Sequence, residues 1–268
     1  MDQHILEHFR SYADDSSHAH YHRVEALHDE PSLSWSEASE LAPNLCRGWY
    51  ELAHLPTQDR LEFIQDFWCT KFQSDPIFVN FLLNFFKNVD DIGIYLTQQC
   101  YEESFEAQLV YSLKDNSGFY RGYSPIKEDE IIALQKVYAD YILPADYLNF
   151  MKIHNGFAKL TDSGIKKSTK IEEIYQELQA VLEKGEPLRT TSGIAINPKS
   201  LIPFYKSFSM PFFQCFCGEW YPEREMGNVY YSGVTHTISD FTKQGDGMET
   251  MAFGTFTEWL KFYLEKIE

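Results

Sequence analysis

The apolar residues of this chain change their spacing twice, and that change most limits the fold. From Ser36 to Val89 they recur every three or four positions. Over "IGIYLTQQ" and "FEAQLVYSLKDNSGFYRGY" they alternate, among β-branched and aromatic residues. At "SPIKEDEIIALQKVYADY" the helical spacing returns. Period 3.6 buries one stripe of a helix and period 2 buries one face of a strand. A chain that moves between the two in blocks holds both helical and strand segments. The expected layout is a mainly helical N-terminal half followed by a second half that mixes helices and strands. A boundary falls between Leu96 and Ser124. Residues 1–108 are assigned to a mainly helical region and 109–268 to a second domain, with the hairpin strand at 109–123 grouped with the latter. No long Gly/Pro/Ser-rich linker separates the halves, so they are expected to pack together.

Helix signals are specific in places. Ser36 is a candidate N-cap, with Glu37 and Glu40 in the following turn. From Thr57, Leu61, Ile64, Phe67 and Trp68 share one face. Asp75 followed by Pro76 marks another helix start, and that helix, "PIFVNFLLNFF", is apolar nearly all round and is expected to be buried. "DNSG" at 115–118 reads as a hairpin turn. Later, Ser124 and Ser168 are candidate caps, Ile131, Leu134 and Val137 an inward face, and Gly185 a helix stop. "LIPFYKSF", "FFQCFCGEWY" and "GNVYYSGV" read as strands, and a final helix starts after Thr255.

The segment "YILPADYLNFMKIHNGF" (141–157) reads as a short capped helix. Pro144 suits its first turn, and Tyr147, Phe150 and Met151 supply a packed face. Asp146, Asn149 and Lys152 fall on the solvated side, with Ile153 as an apolar exception. His154-Asn155-Gly156 is composed to end the helix.

Four motifs in order carry a resemblance. An acidic helix, Leu143-Pro144 with Tyr147, and the close on Asn155-Gly156 come first. "LIPFYKSF", "GNVYYSG" and "FGTFTEWLKFYLEKI" follow. Over Tyr123 to Glu268 this order resembles the SUKH superfamily, the Smi/Knr cell-wall-regulator-like proteins. Gln135 replaces a common glutamate, "CGEWYPEREMG" replaces an Asp/Gly-rich turn, and the helix from Ser168 looks inserted. The resemblance implies an α+β fold, a helical N-terminal half followed by a domain with a mostly antiparallel sheet flanked by helices, without catalytic machinery and acting as an immunity-like or regulatory protein-binding module. Fold does not fix function by itself.

Composition narrows the classes. A formal net charge of −17 disfavours a general nucleic-acid surface and favours a basic protein partner. No apolar run approaches the length of a membrane span. The N-terminus lacks a basic start before an apolar run, and five sparse cysteines suit a reducing compartment, so a cytoplasmic protein is expected.

Several residue groups could form a site, and most have a plainer role. Glu219, Trp220, Tyr221, Glu223 and Tyr231, with Glu225 and Tyr230 nearby, form an acidic, aromatic face suited to gripping a basic protein. His18, His20 and His22 alternate, yet match no structural zinc spacing. Cys215 and Cys217 share a strand face and read as buried thiols. "KQGDGMET" reads as a turn rather than a calcium loop. No P-loop, G-x-S-x-G or H-E-x-x-H motif occurs. No cofactor or metal is therefore expected. Two alternatives stay open: a metal-dependent hydrolase using His154 or His236, or a structural or secreted interaction protein acting through its helical N-terminal half.

Overall fold

The computed structural model describes residues 1–10, 21–29, 32–185, 187–208, 210–243 and 247–265. The fold is α+β, with two mostly antiparallel sheets, one in each of two compact units. The first unit comprises residues 1–125 and 157–161, the second 126–156 and 162–268.

In the first unit, α1 (Gln3–Arg10) and β1 (Arg23–Ala26) precede four helices: α2 (Trp35–Leu41), α3 (Arg47–Ala53), α4 (Thr57–Lys71) and α5 (Pro76–Phe86). The strands β2 (Val89–Gln98), β3 (Glu106–Leu113), β4 (Phe119–Tyr123) and β5 (Phe157–Lys159) complete an antiparallel sheet in the order β1-β2-β3-β4-β5. Ala107 to Leu113 of β3 are all buried, because both faces of the sheet are covered. On one face Ile5 and Phe9 of α1 pack on Tyr95, Val110 and Phe119. On the other, the Trp68 Nε1–H donates to the Tyr111 hydroxyl at 2.8 Å, and the rings of Trp68, Phe86, Tyr111 and Phe157 meet at centroid distances of 6.0–6.2 Å. A buried indole N–H needs such a partner.

In the second unit, α6 (Glu128–Val137), α7 (Ala145–Met151) and α8 (Ser168–Leu182) precede β6 (Leu201–Lys206), β7 (Phe212–Cys217), β8 (Asn228–Ser232) and β9 (Thr237–Ile238). A one-turn helix α9 (Gly247–Thr250), β10 (Ala252–Phe253) and α10 (Phe256–Leu264) close the chain. The sheet order is β10-β8-β7-β6, with β9 beside β8. Strand alternation splits its side chains between two cores. Leu201, Phe213, Cys215, Cys217, Val229 and Tyr231 meet Leu178 and Leu182 of α8. On the opposite face Phe204 and Phe216 stack at 4.4 Å against Tyr147 of α7 and Phe256 and Trp259 of α10.

Several local signals operate as the residues suggest. Asp75 caps α5 through the Phe78 N–H with Pro76 in the first turn, and Thr255 and Glu258 form a reciprocal capping box on α10. Asp115, Asn116 and Gly118 take positive φ in the β3–β4 turn. Others differ. Ser34, not Ser36, caps α2, and Pro43 lies in the break that separates α2 from α3. Lys127 occupies the α6 cap position instead of Ser124, and Tyr138 rather than Val137 completes the buried stripe. The face of α5 bearing Ile77, Asn80, Leu83 and Asn84 is exposed, since its other face already fills one side of the core. Residues 1–108 do contain α1–α5, but they also carry β1, β2 and the start of β3. The strand at 106–113 pairs with β2, and the strand at 119–123 pairs with β3, both in the first unit's sheet.

One interaction in the first unit had no local signature. Arg60 of α4 is buried and pairs through Nη2 with Asp91 at 2.7 Å; Nη2 also donates to Thr57 Oγ1, and Nη1 donates to Leu55 O. Removing one member of an enclosed pair strands the other's charge. Arg60→Met is expected to destabilise the protein by about 3 kcal/mol in urea denaturation; a loss below about 1 kcal/mol would show that Asp91 regains water instead. In the second unit the Tyr147 hydroxyl is buried with no hydrogen-bond partner among the described residues. Tyr147→Phe removes that unsatisfied group and is expected to stabilise the fold by about 1 kcal/mol. A destabilised variant would reveal a bonded hydroxyl.

Candidate functional site

The stretch from Cys217 to Gly227 forms a tight loop between β7 and β8. Its base is closed by Cys217 N–H donating to Gly227 O at 2.9 Å. Gly227 N–H then donates to Trp220 O at 2.9 Å, and Trp220 N–H to Cys217 O at 3.0 Å. The Trp220 ring lies directly on Gly227, where any Cβ would collide with it. Its other neighbour is Phe241, stacked at a centroid distance of 5.2 Å and an interplanar angle of 20°. This pair forms one wall of an open groove of about 620 Å³, whose further lining includes Phe253, Phe262, Lys243 and Glu258. Trp220 is partly buried, so its backbone and ring are held in place before any ligand arrives.

The expected binding residues separate into three environments. Trp220 lines the groove. Glu219, Tyr221 and Glu223 are exposed on the same loop, and Tyr221 leaves 47% of its surface open. Glu219 accepts from the Asn197 N–H at 3.1 Å. Tyr231 does not join them. It is fully buried against α8, with its hydroxyl 3.0 Å from His236 Nδ1, because strand parity turns it to the α8 face and its neighbour Tyr230 to the other. The groove is also less acidic than expected: Lys243 and Lys261 stand in it beside Glu258 and Glu265. Phe241, Phe253 and Phe262 carry no sequence signal, since they reach the groove only when β10 and α10 come up against the 217–227 loop.

The anchor of that loop is electrostatic. Glu225 Oε2 accepts from Ala145 N–H at 3.1 Å, at the first residue of α7. The adjacent Asp146 accepts from Tyr147 N–H at 2.8 Å and from Thr257 N–H, in the first turn of α10, at 3.0 Å. Asp146 was expected in solvent, but α10 closes over it. Burial pushes its carboxyl up to about 6; the Thr257 and Tyr147 bonds oppose the rise and the Glu225 charge adds to it.

The candidate catalytic and metal-binding residues have structural surroundings. His154 is buried beside Phe150, and His236 bonds to Tyr231. Cys215 and Cys217 are buried free thiols; burial raises both, Cys217 to about 11, which leaves little thiolate at neutral pH. Among the described residues no group of three or more His, Cys, Asp or Glu could hold a metal ion, and no helix is long and apolar enough to cross a membrane. His18 and His20 lie outside the described residues, as does the centre of "KQGDGMET"; His22 is exposed against Tyr101. Compared with known proteins, the chain matches no family model, no curated protein and no solved structure.

Asp146 gives the site a pH signature. A carboxyl whose folded value lies above its unfolded value adds stability at low pH and loses it as pH rises through the folded value. Asp146→Asn stays neutral throughout. Relative to the native protein, this variant should gain about 3 kcal/mol between pH 4 and pH 7, read from urea midpoints. A pH-independent difference would mean that the carboxylate is ionised across the whole range.

Proposed function

We propose that this protein is a non-catalytic, SUKH-type protein-binding module, immunity-like or regulatory, that holds a basic protein partner through the Trp220 groove and the exposed loop beside it. The observation that carries the reading is the Trp220–Phe241 stack, pinned by Gly227 and opening on a groove. Aromatic anchors already fixed in their bound geometry lose little entropy on association, and such residues dominate interface energetics. The ordered motifs of the second half support the SUKH resemblance, and the net charge of −17 supports a basic partner through long-range attraction. The larger share of the acid excess lies in the first unit, so steering draws on the whole chain while the groove supplies the short-range grip. Free, unpaired cysteines fit a cytoplasmic setting for the same reading.

The test begins with a partner captured on the immobilised protein and identified by mass spectrometry, followed by binding kinetics. Trp220→Ala is expected to speed dissociation, with a loss of about 2 kcal/mol. Glu223→Lys should slow association and flatten its salt dependence, because a rim charge acts on encounter. Kinetics indifferent to both would place the interface elsewhere. Turnover of any substrate that His154→Ala abolishes would overturn the non-catalytic reading.

A further inference from the structure

A second, smaller recess of about 180 Å³ lies on the other side of Phe262, and its lining is mostly aromatic: Tyr205, Phe212, Tyr230, Trp259, Phe262 and Tyr263. The rings do not share one plane. Trp259 and Tyr263 stack at 5.1 Å and 13°, Tyr205 meets them at 57° and 67°, and Phe212 and Tyr230 meet at 5.7 Å and 46°. Asp162 stands behind this wall. Its Oδ2 accepts from the Tyr205 hydroxyl at 2.9 Å and from the Tyr263 hydroxyl at 3.1 Å. Its Oδ1 accepts from Phe208 N–H at 3.2 Å, which ties down the chain just after β6.

From this geometry we propose that the recess is an aromatic cage for a methylated ammonium group. The ring faces present negative potential from several directions, which attracts a cation, and the Asp162 carboxylate adds charge through the two tyrosines. Two polar groups of the lining are already engaged: Gln214 Nε2 donates to Asn228 Oδ1, and Met251 O accepts from Ser239 Oγ. A primary ammonium would leave its three N–H donors short of acceptors here, whereas a methylated one has few or none to satisfy. The volume is below that of pockets that enclose whole drug-sized ligands, so the recess takes a head group or a side-chain tip. This site is separate from the Trp220 groove and does not rest on the function proposed for it.

Isothermal titration of the full-length protein with choline, with its uncharged isostere 3,3-dimethylbutanol, and with matched peptides bearing trimethyl-lysine or unmodified lysine tests the assignment. Choline, the trimethyl-lysine peptide or both should bind, and the tighter of the two identifies the source as a free small molecule or a protein side chain. Tyr230→Leu and Phe212→Leu, at half-exposed rims, should each weaken binding roughly three- to thirty-fold, while Tyr230→Phe, which keeps the ring, should restore it. Asp162→Asn should weaken it too, with folding of each variant checked by its melting curve. Equal binding of the uncharged isostere, equal binding of unmodified lysine, or no binding of either methylated probe would overturn the proposal.

Discussion

Asp146 is the side chain on which the second unit turns. Two helix N-termini, those of α7 and α10, converge on the same face of the sheet, and each leaves backbone N–H groups without partners of their own. One carboxylate answers both, taking Tyr147 N–H from its own helix and Thr257 N–H from the other. Glu225 adds a third bond from the 217–227 loop to Ala145. The aromatic core beneath, where Tyr147, Phe204, Phe216 and Phe256 meet, needs these two helices at this angle. The arrangement holds an acid in a place that resists its charge, and the raised titration of Asp146 is the consequence.

A similar logic orders the connection after α7. Asn155 donates from Nδ2 to Ser168 Oγ at 2.9 Å and accepts from Ser168 N–H at 2.7 Å, so it caps α8 from thirteen residues away. Gly156, at φ +100°, follows in a left-handed conformation that a side chain would strain. The chain leaves α7 here to add β5 to the first unit's sheet, then returns to begin α8. His154-Asn155-Gly156 is therefore both a helix end and a tether for the next helix.

The proposed binding features follow from how strands and loops are held. A loop whose backbone is bonded to itself at Cys217, Trp220 and Gly227 can display a tryptophan without letting it collapse into the core. The edge position of β10 leaves room beside α10, and aromatic side chains of that helix serve two recesses, with Phe262 in both. The reactive residue types lie elsewhere: Cys215 and Cys217 fill the core under α8, and His154 is enclosed beside Phe150.

The sequence by itself determined the alternation of helices and strands, because periodicity and capping are local. Asp75-Pro76, Thr255 with Glu258, the 115–118 turn, and the Tyr147, Phe150 and Met151 stripe all operate as their spacing requires. It also singled out Trp220, which lines the groove. Tertiary structure decided whatever depends on which face meets what. Tyr231 and Tyr230 are adjacent and chemically alike, yet one is fully enclosed and the other half-open, because strand register alone assigns their sides. Asp146 has the composition of a solvated position, yet lies under α10, whose N-terminus comes from more than a hundred residues later. The Arg60–Asp91 pair, the placement of the 106–123 hairpin in the first unit and the six-ring recess likewise join residues distant in the chain. Local spacing carries no information about such partners, since they become neighbours only when separate elements pack.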